Sequence, residues 1–190
     1  MKQIRLILLI ILIPFVSFTQ NCSYELNEVD KFNGKVTKIT KAKKVIASWQ
    51  KQKNLKFYNA GSFSVKRIDS DYFLIFDYEI QKYKRFDPYN INSGTQLILL
   101  LANGEKITLS TNDKINGTKK TIIGIPPVYC SYLSDINYFL TRKEIDLLLQ
   151  SKVTSIRFYR TESNGKVGYV DCEIKPKNQE IIKQLLMCLL

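Results

Sequence analysis

Three pairs of carboxylates stand two residues apart in this 190-residue chain: Asp69 with Asp71, Asp77 with Glu79, and Asp171 with Glu173. On an extended strand, residues i and i+2 point to one face, so each pair can present two carboxyl groups together. Two carboxyls about 5–9.5 Å apart are the acid–base equipment of glycoside hydrolysis, though they usually come from different elements. Asp69 and Asp71 lie in an Asp-Ser-Asp run, where aspartate is favoured simply as turn chemistry. No second catalytic constellation competes. The chain has no histidine, which removes the commonest general base at neutral pH, the Ser-His-Asp and Cys-His arrangements, and imidazole metal sites. Asn112-Asp113-Lys114-Ile115-Asn116-Gly117 places oxygen donors beside a glycine, but Lys114 and Ile115 occupy ligand positions of a calcium loop and no glutamate closes it. There is neither a phosphate-cradling glycine loop nor a nucleophile elbow. No catalytic residue, cofactor or metal is assigned, and the balance points to binding rather than catalysis.

A binding function has better material. The chain carries 29 Lys+Arg against 17 Asp+Glu, a net charge of +12. Between Asp30 and Asp69 there is no acidic residue, while Lys31, Lys35, Lys38, Lys41, Lys43, Lys44, Lys51, Lys53, Lys56, Lys66 and Arg67 all fall there. Within the same block lie Trp49, Phe57, Tyr58 and Phe63. One reading is a surface for polyanions, with Lys41, Lys43, Lys44, Lys51, Lys53 and Lys56 supplying charge and Trp49 a stacking surface. The other is an ordinary solvated basic face over aromatics that pack inward. Anionic polysaccharide and lipid headgroups are the partners the charge suits, and a protein partner stays open. Arginine, the residue suited to bidentate phosphate contacts, is scarce, which argues against nucleic acid.

The N-terminus states where such a protein works. Met1-Lys2-Gln3-Ile4-Arg5 is a short positive start, Leu6–Val16 is nearly all apolar, and Ser17-Phe18-Thr19-Gln20 closes it with small or polar residues. This order predicts a signal peptide over residues 1–20 and an exported product, periplasmic or extracellular. The apolar run is shorter than the roughly 20 residues a spanning helix needs, and Pro14 interrupts it. The mature chain, 21–190, then has no transmembrane segment. Its length suits one domain. It loses Lys2 and Arg5 with the leader. Cys22, Cys130, Cys172 and Cys188 all remain, and an even number of cysteines in an exported chain predicts disulfides. Spacing does not select the pairing. It argues only against Cys172–Cys188, because a helix packed back along its own strand carries Cys188 about 15–20 Å from the turn beside Cys172.

The elements that must position these residues are mostly strands. Asn33-Gly34, Asn103-Gly104, Asn116-Gly117 and Asn164-Gly165 are hairpin signals, since both residues tolerate positive φ. They predict Tyr24–Phe32 with Val36–Thr40, Thr95–Leu101 with Lys106–Thr111, and Val153–Thr161 with Lys166–Ile174. Leu97–Leu101 is apolar on both faces and belongs inside a sheet. Ser62–Ile68 pairs with Tyr72–Ile80 across Asp69-Ser70-Asp71, and Tyr129–Leu140 is a further strand. Thr141-Arg142-Lys143-Glu144 is a capping box opening a helix to about Gln150. Ile181, Ile182, Leu185, Leu186 and Leu189 give a second helix within Asn178–Leu189. Lys41–Phe57 fits helix or strand, and its strand neighbours favour strand. Tyr83–Ser93 is the longest irregular stretch.

The chain is similar to small exported β-rich proteins of unknown function common in Bacteroidetes. The likeness rests on Asp30-Lys31-Phe32-Asn33-Gly34, the Leu97–Leu109 hairpin and the Tyr138–Arg157 strand–helix–strand run, and it implies no activity and no site. The expectation is one α+β domain, predominantly antiparallel sheet of meander or sandwich type, with two short helices in its C-terminal third. The expected function is an exported, non-enzymatic binding or envelope-associated protein with a basic surface. The alternatives are a carboxylate-dependent hydrolase acting on polysaccharide and a protein-interaction or inhibitor module.

Overall fold

The computed structural model describes residues 22–52, 55–124 and 126–190; the expected signal peptide and Lys53 lie outside them. The described chain is mostly antiparallel sheet. The strands are β1 Tyr24–Val29, β2 Val36–Thr40, β3 Lys43–Gln52, β4 Leu55–Ile68, β5 Asp71–Lys82, β6 Asn90–Ile91, β7 Gln96–Leu101, β8 Lys106–Ser110, β9 Ile115–Asn116, β10 Thr118–Ile122, β11 Val128–Leu140, β12 Val153–Thr161 and β13 Val167–Glu173. Two short helices, α1 Arg142–Gln150 and α2 Ile181–Met187, complete an α+β architecture.

The strands form two sheets. In the first, of seven strands, the order is β1-β2-β4-β5-β11-β10, with β3 pairing β4 as well. Strand β4 is long enough to serve two partners on one edge: β2 pairs Lys66–Ile68, and β3 pairs Leu55–Phe63. In the second sheet, β7 lies between β8 and β12, β13 takes the other edge of β12, and β6 and β9 extend it. The inner faces meet at aromatic contacts. Phe76 on β5 packs edge-on against Phe158 on β12 with centroids 5.0 Å apart, and Tyr78 lies 5.1 Å from the same ring. Phe63, Phe76 and Phe158 are fully buried. β7 alternates buried and half-buried positions, as an interior strand apolar on both faces does.

Local chemistry explains the elements. The β4–β5 turn is tighter than the Asp69-Ser70-Asp71 reading, since Ile68 pairs with Asp71 and only Asp69 and Ser70 turn. Asp69 holds a positive φ of 52°, which aspartate tolerates better than most residues. At Val45 a bulge shifts the β3 register, so that Val45 and Ile46 are both buried although adjacent in sequence. Thr141 and Glu144 form the expected capping box: Glu144 N–H donates to Thr141 Oγ1 at 3.4 Å, and Thr141 N–H to Glu144 Oε2 at 2.7 Å. The second helix begins at Ile181 rather than Asn178, because Pro176–Asn178 forms a 3-10 turn with proline at its first position. No helix among the described residues is long and apolar enough to cross a membrane.

Two further expectations need correction. Asn116-Gly117 is not a hairpin turn. Gly117 joins β9 to β10, and its N–H donates to the Tyr89 carbonyl at 3.0 Å and to Asn90 Oδ1 at 3.2 Å. A Cβ there would stand 2.2 Å from that carbonyl oxygen, so the glycine serves close approach rather than turning. Of the four candidate disulfide cysteines, Cys22 and Cys188 are bonded, with Cα atoms 5.6 Å apart, whereas Cys130 and Cys172 are buried free thiols. Cys130 is buried on the interior strand β11 of the first sheet and Cys172 on the edge strand β13 of the second, each a small buried residue. The bond ties the segment just before β1 to the end of α2. Tyr24 OH donates to the Cys188 carbonyl at 2.8 Å nearby, while Arg67 Nη1 and Tyr72 OH donate to that of Leu189. Carbonyls at the helix end are thereby satisfied.

Candidate functional site

The first sheet presents an aromatic platform where β3 pairs with β4. Trp49 lies opposite Tyr58 in the ladder, and directly opposed side chains on one face are neighbours. Their centroids are 5.3 Å apart. Tyr83, just beyond the end of β5, stacks on Trp49 at 6.2 Å with an interplanar angle of 9°. Trp49 is 57% exposed and Tyr83 46%. Two parallel rings at the surface, backed by a half-buried third, form a flat apolar ledge on a rigid ladder. By contrast Phe57 and Phe63, from the same sequence block, point into the core.

The candidate cations are distributed around this ledge. Lys56 is exposed one ladder step from Tyr58, at the register position opposite Lys51. Lys84 and Arg85 follow Tyr83 and are exposed. Lys41, in the link between β2 and β3, and Lys43 and Lys44, at the start of β3, are exposed on the far side of the Val45 bulge. Lys66 and Arg67 are otherwise engaged: Lys66 Nζ donates to Asn137 Oδ1 at 2.6 Å, and Arg67 Nε to the Asp69 carbonyl at 2.6 Å. Lys44 lines a shallow groove of about 150 Å³ together with Asp77, Glu79 and Tyr132. The block that holds no acid in sequence thus has carboxylates across its first neighbouring strand.

At least one carboxylate of each pair carries a structural contact. Asp69 Oδ1 accepts the Val36 N–H at 3.0 Å, fastening the turn to β2. Asp77 Oδ1 accepts the Asp135 N–H at 2.8 Å, at a β11 bulge where Asp135 adopts a φ of 59°. Burial holds the Asp77 carboxyl above its ordinary range, offset by that hydrogen bond and reinforced by the charges of Asp135 and Glu25. Glu79 Oε1 accepts from Gln81 Nε2 at 2.6 Å. A concavity of about 890 Å³ crosses the second sheet and reaches β3; Ile98, Leu100, Ser155, Arg157, Asp171, Glu173 and Gln50 are among its lining residues. Both Asp171 oxygens accept from Arg157, at 2.6 and 2.7 Å, and Arg157 also lies 4.3 Å over the Tyr169 ring. Gln50 Nε2 donates to the Asp171 carbonyl at 3.0 Å, closing the trough against β3. With Asp171 committed to a bidentate pair, the trough does not offer two free carboxyls for acid–base work.

No family model, curated protein or solved structure matches the chain.

The sequence singled out Trp49 and the lysines but not Tyr83, which sits at the start of an irregular stretch. Its place was nonetheless countable. Extending the antiparallel register from the two-residue turn sets Tyr83 one step beyond the Phe57–Lys82 pair, diagonal to Tyr58. The trough left no such signal, because Gln50 meets Asp171 across 121 residues of chain.

Proposed function

We propose that this is an exported, non-enzymatic binding protein that holds anionic polysaccharide on the Trp49–Tyr83 ledge, with Lys56, Lys84 and Arg85 alongside and Lys43 and Lys44 further along β3. The observation that carries this reading is the exposed, parallel Trp49–Tyr83 pair. Large rings are usually buried for their area, and a flat exposed pair suits the apolar face of a sugar ring. Flanking ammonium groups add long-range, salt-sensitive attraction for sulfate or carboxylate substituents. The leader-like N-terminus and the Cys22–Cys188 bond support export, since disulfides persist in oxidising compartments. A hydrolase reading has less support, because the carboxylate pairs carry structural hydrogen bonds or an ion pair.

Retention on immobilised heparin at low and high salt tests the proposal. Wild-type protein is expected to bind at low salt and elute as salt rises. Trp49→Ala and a Lys44→Gln/Lys56→Gln pair should elute earlier, whereas Lys143→Gln, on α1, should not. Earlier elution in proportion to the charge removed, with Lys143→Gln shifted and Trp49→Ala unchanged, would reduce the interaction to net charge, and equal elution of all four proteins would remove both the ledge and the lysines from it. Anionic vesicles provide the second arm: binding to them that depends on Trp49, with none to heparin, would move the partner to a lipid surface.

A further inference from the structure

Away from the ledge, the seam between the sheets contains a cationic cluster with no acidic partner. Tyr78 OH donates to Asn59 Oδ1 and accepts from Arg160 Nη1 at 3.3 Å. The Arg160 guanidinium lies 4.0 Å over the Tyr89 ring. From the other sheet, Lys82 reaches the same residue, its Nζ donating to Tyr89 OH at 2.7 Å and standing 5.2 Å from the ring centroid. Two cations therefore converge on one phenol. Ion pairs among the described residues join Arg142 to Asp146, Lys152 to Glu180 and Arg157 to Asp171, and none includes Lys82 or Arg160. Two buried donors at this spot have no acceptor among the described residues: Asn59 Nδ2, on a residue with no solvent exposure, and Arg160 Nε.

Both open positions are donors, and the charge around them is positive. A buried donor without an acceptor is costly, and so is a cation removed from water without a counter-charge. Ring faces relieve part of that cost but accept no hydrogen bond in the plane of the guanidinium. A water molecule would satisfy a donor and leave the charge. We infer that the seam binds one compact anion of halide size, held by Asn59 Nδ2 and Arg160 Nε with Lys82 adding charge. The amide and the guanidinium are both bonded to the Tyr78 hydroxyl, which makes them neighbours in the seam, and a compact ion asks for less room between them than phosphate. Such a site would lock β4, β5 and β12 together at the end of the seam, independently of the polysaccharide ledge.

Crystals of the full chain grown with bromide in place of chloride, with data collected at the bromine absorption edge, test this directly. An anomalous peak within about 3.5 Å of both Asn59 Nδ2 and Arg160 Nε supports the site. A water without anomalous signal, or no density there, overturns it. Thermal unfolding at constant ionic strength is the second readout, because an anion bound only by the native state raises Tm with its concentration. Tm should rise by several degrees as chloride replaces gluconate, and Asn59→Leu should abolish the rise. A rise that survives intact in Asn59→Leu would assign the effect to surface lysines and contradict the proposal. Should that variant fail to fold, the bromide experiment on the wild-type protein still decides.

Discussion

At the scale of single residues, three positions give sharp expectations. Trp49 is exposed yet packed between Tyr58 and Tyr83. Trp49→Ala should therefore weaken polyanion binding roughly 2- to 12-fold, the equivalent of one aromatic contact worth about 0.5–1.5 kcal/mol, while Tm changes little. Calorimetric titration at fixed salt checks the first point and a melt the second. Burial raises the Asp77 carboxyl above the usual carboxylate range. A raised carboxylate pKa means that the folded state holds the proton more tightly than the unfolded chain. The associated stability is present at low pH and is lost as pH rises from the unfolded value through the folded one. Asp77→Asn keeps an oxygen acceptor for the Asp135 N–H and removes the charge. It should raise Tm at pH 7, with the difference closing as pH falls toward 3.8 and gone below it; a parallel offset at every pH would contradict the assignment. Gly117→Ala forces a Cβ to 2.2 Å from the Tyr89 carbonyl oxygen. It should destabilise by several kcal/mol or prevent folding, a severity tied to backbone that cannot give way. Gly34, Gly104 and Gly165, all at positive φ, have no heavy atom within 4 Å of a built Cβ, so alanine there meets backbone strain alone. Sequence could not separate the two kinds of glycine, because all four Asn-Gly pairs look alike until the chain from Tyr89 is laid against one of them.

At the scale of elements, local signals carried far. The Asn103-Gly104 and Asn164-Gly165 hairpins and the Thr141–Glu144 box follow from turn chemistry and capping, each operating over a few residues, whereas the strand at Lys43–Gln52 was favoured by its strand neighbours, since its own period fits helix as well. Thr141→Ala removes the acceptor for the Glu144 N–H and should cost about 1 kcal/mol, seen as a Tm lower by about 2–4 °C in a domain of this size. Illegible were arrangements set by pairings distant in sequence. The acid-free run from Lys31 to Ile68 suggests an uninterrupted basic face, yet β4 must pair with β5, and that ladder places Ala60 opposite Glu79 and Ser62 opposite Asp77. Lys44 then shares a groove with both carboxylates. The cationic surface is thus narrower than the sequence suggests and is weighted toward the ledge. The ledge itself was partly legible, through Trp49 and Tyr58. Its third ring required the register of the β4–β5 hairpin to be counted out to its far end.

At the scale of the whole molecule, one covalent bond spans nearly the entire described chain. Cys22 and Cys188 are 166 residues apart, and closing so long a loop removes much unfolded-state entropy, about 3–5 kcal/mol in the chain-entropy picture. Reduction, or Cys22→Ser, should lower the unfolding free energy by an amount in that range, measured by urea titration with and without reductant. Cys172→Ser should keep the full sensitivity to reductant, because the Cys22–Cys188 bond is untouched and the Cys172 thiol is free and buried, with burial pushing its pKa up to about 11. The cysteine count predicted a bridge but not its ends, since the pairing depends on how β1 and α2 meet after both sheets have closed. Two sheets joined through Phe76, Tyr78 and Phe158 give β3 and β4 the stiffness to hold Trp49 and Tyr83 parallel at the surface. That preorganised ledge is the central claim, and Trp49 is the only tryptophan in the chain, so its emission reports on the ledge alone. Titration with a sulfated polysaccharide at low salt should shift or quench that emission to saturation, and added salt should reverse the change. Binding seen by calorimetry while the Trp49 emission stays unmoved would place the polysaccharide elsewhere and contradict the account.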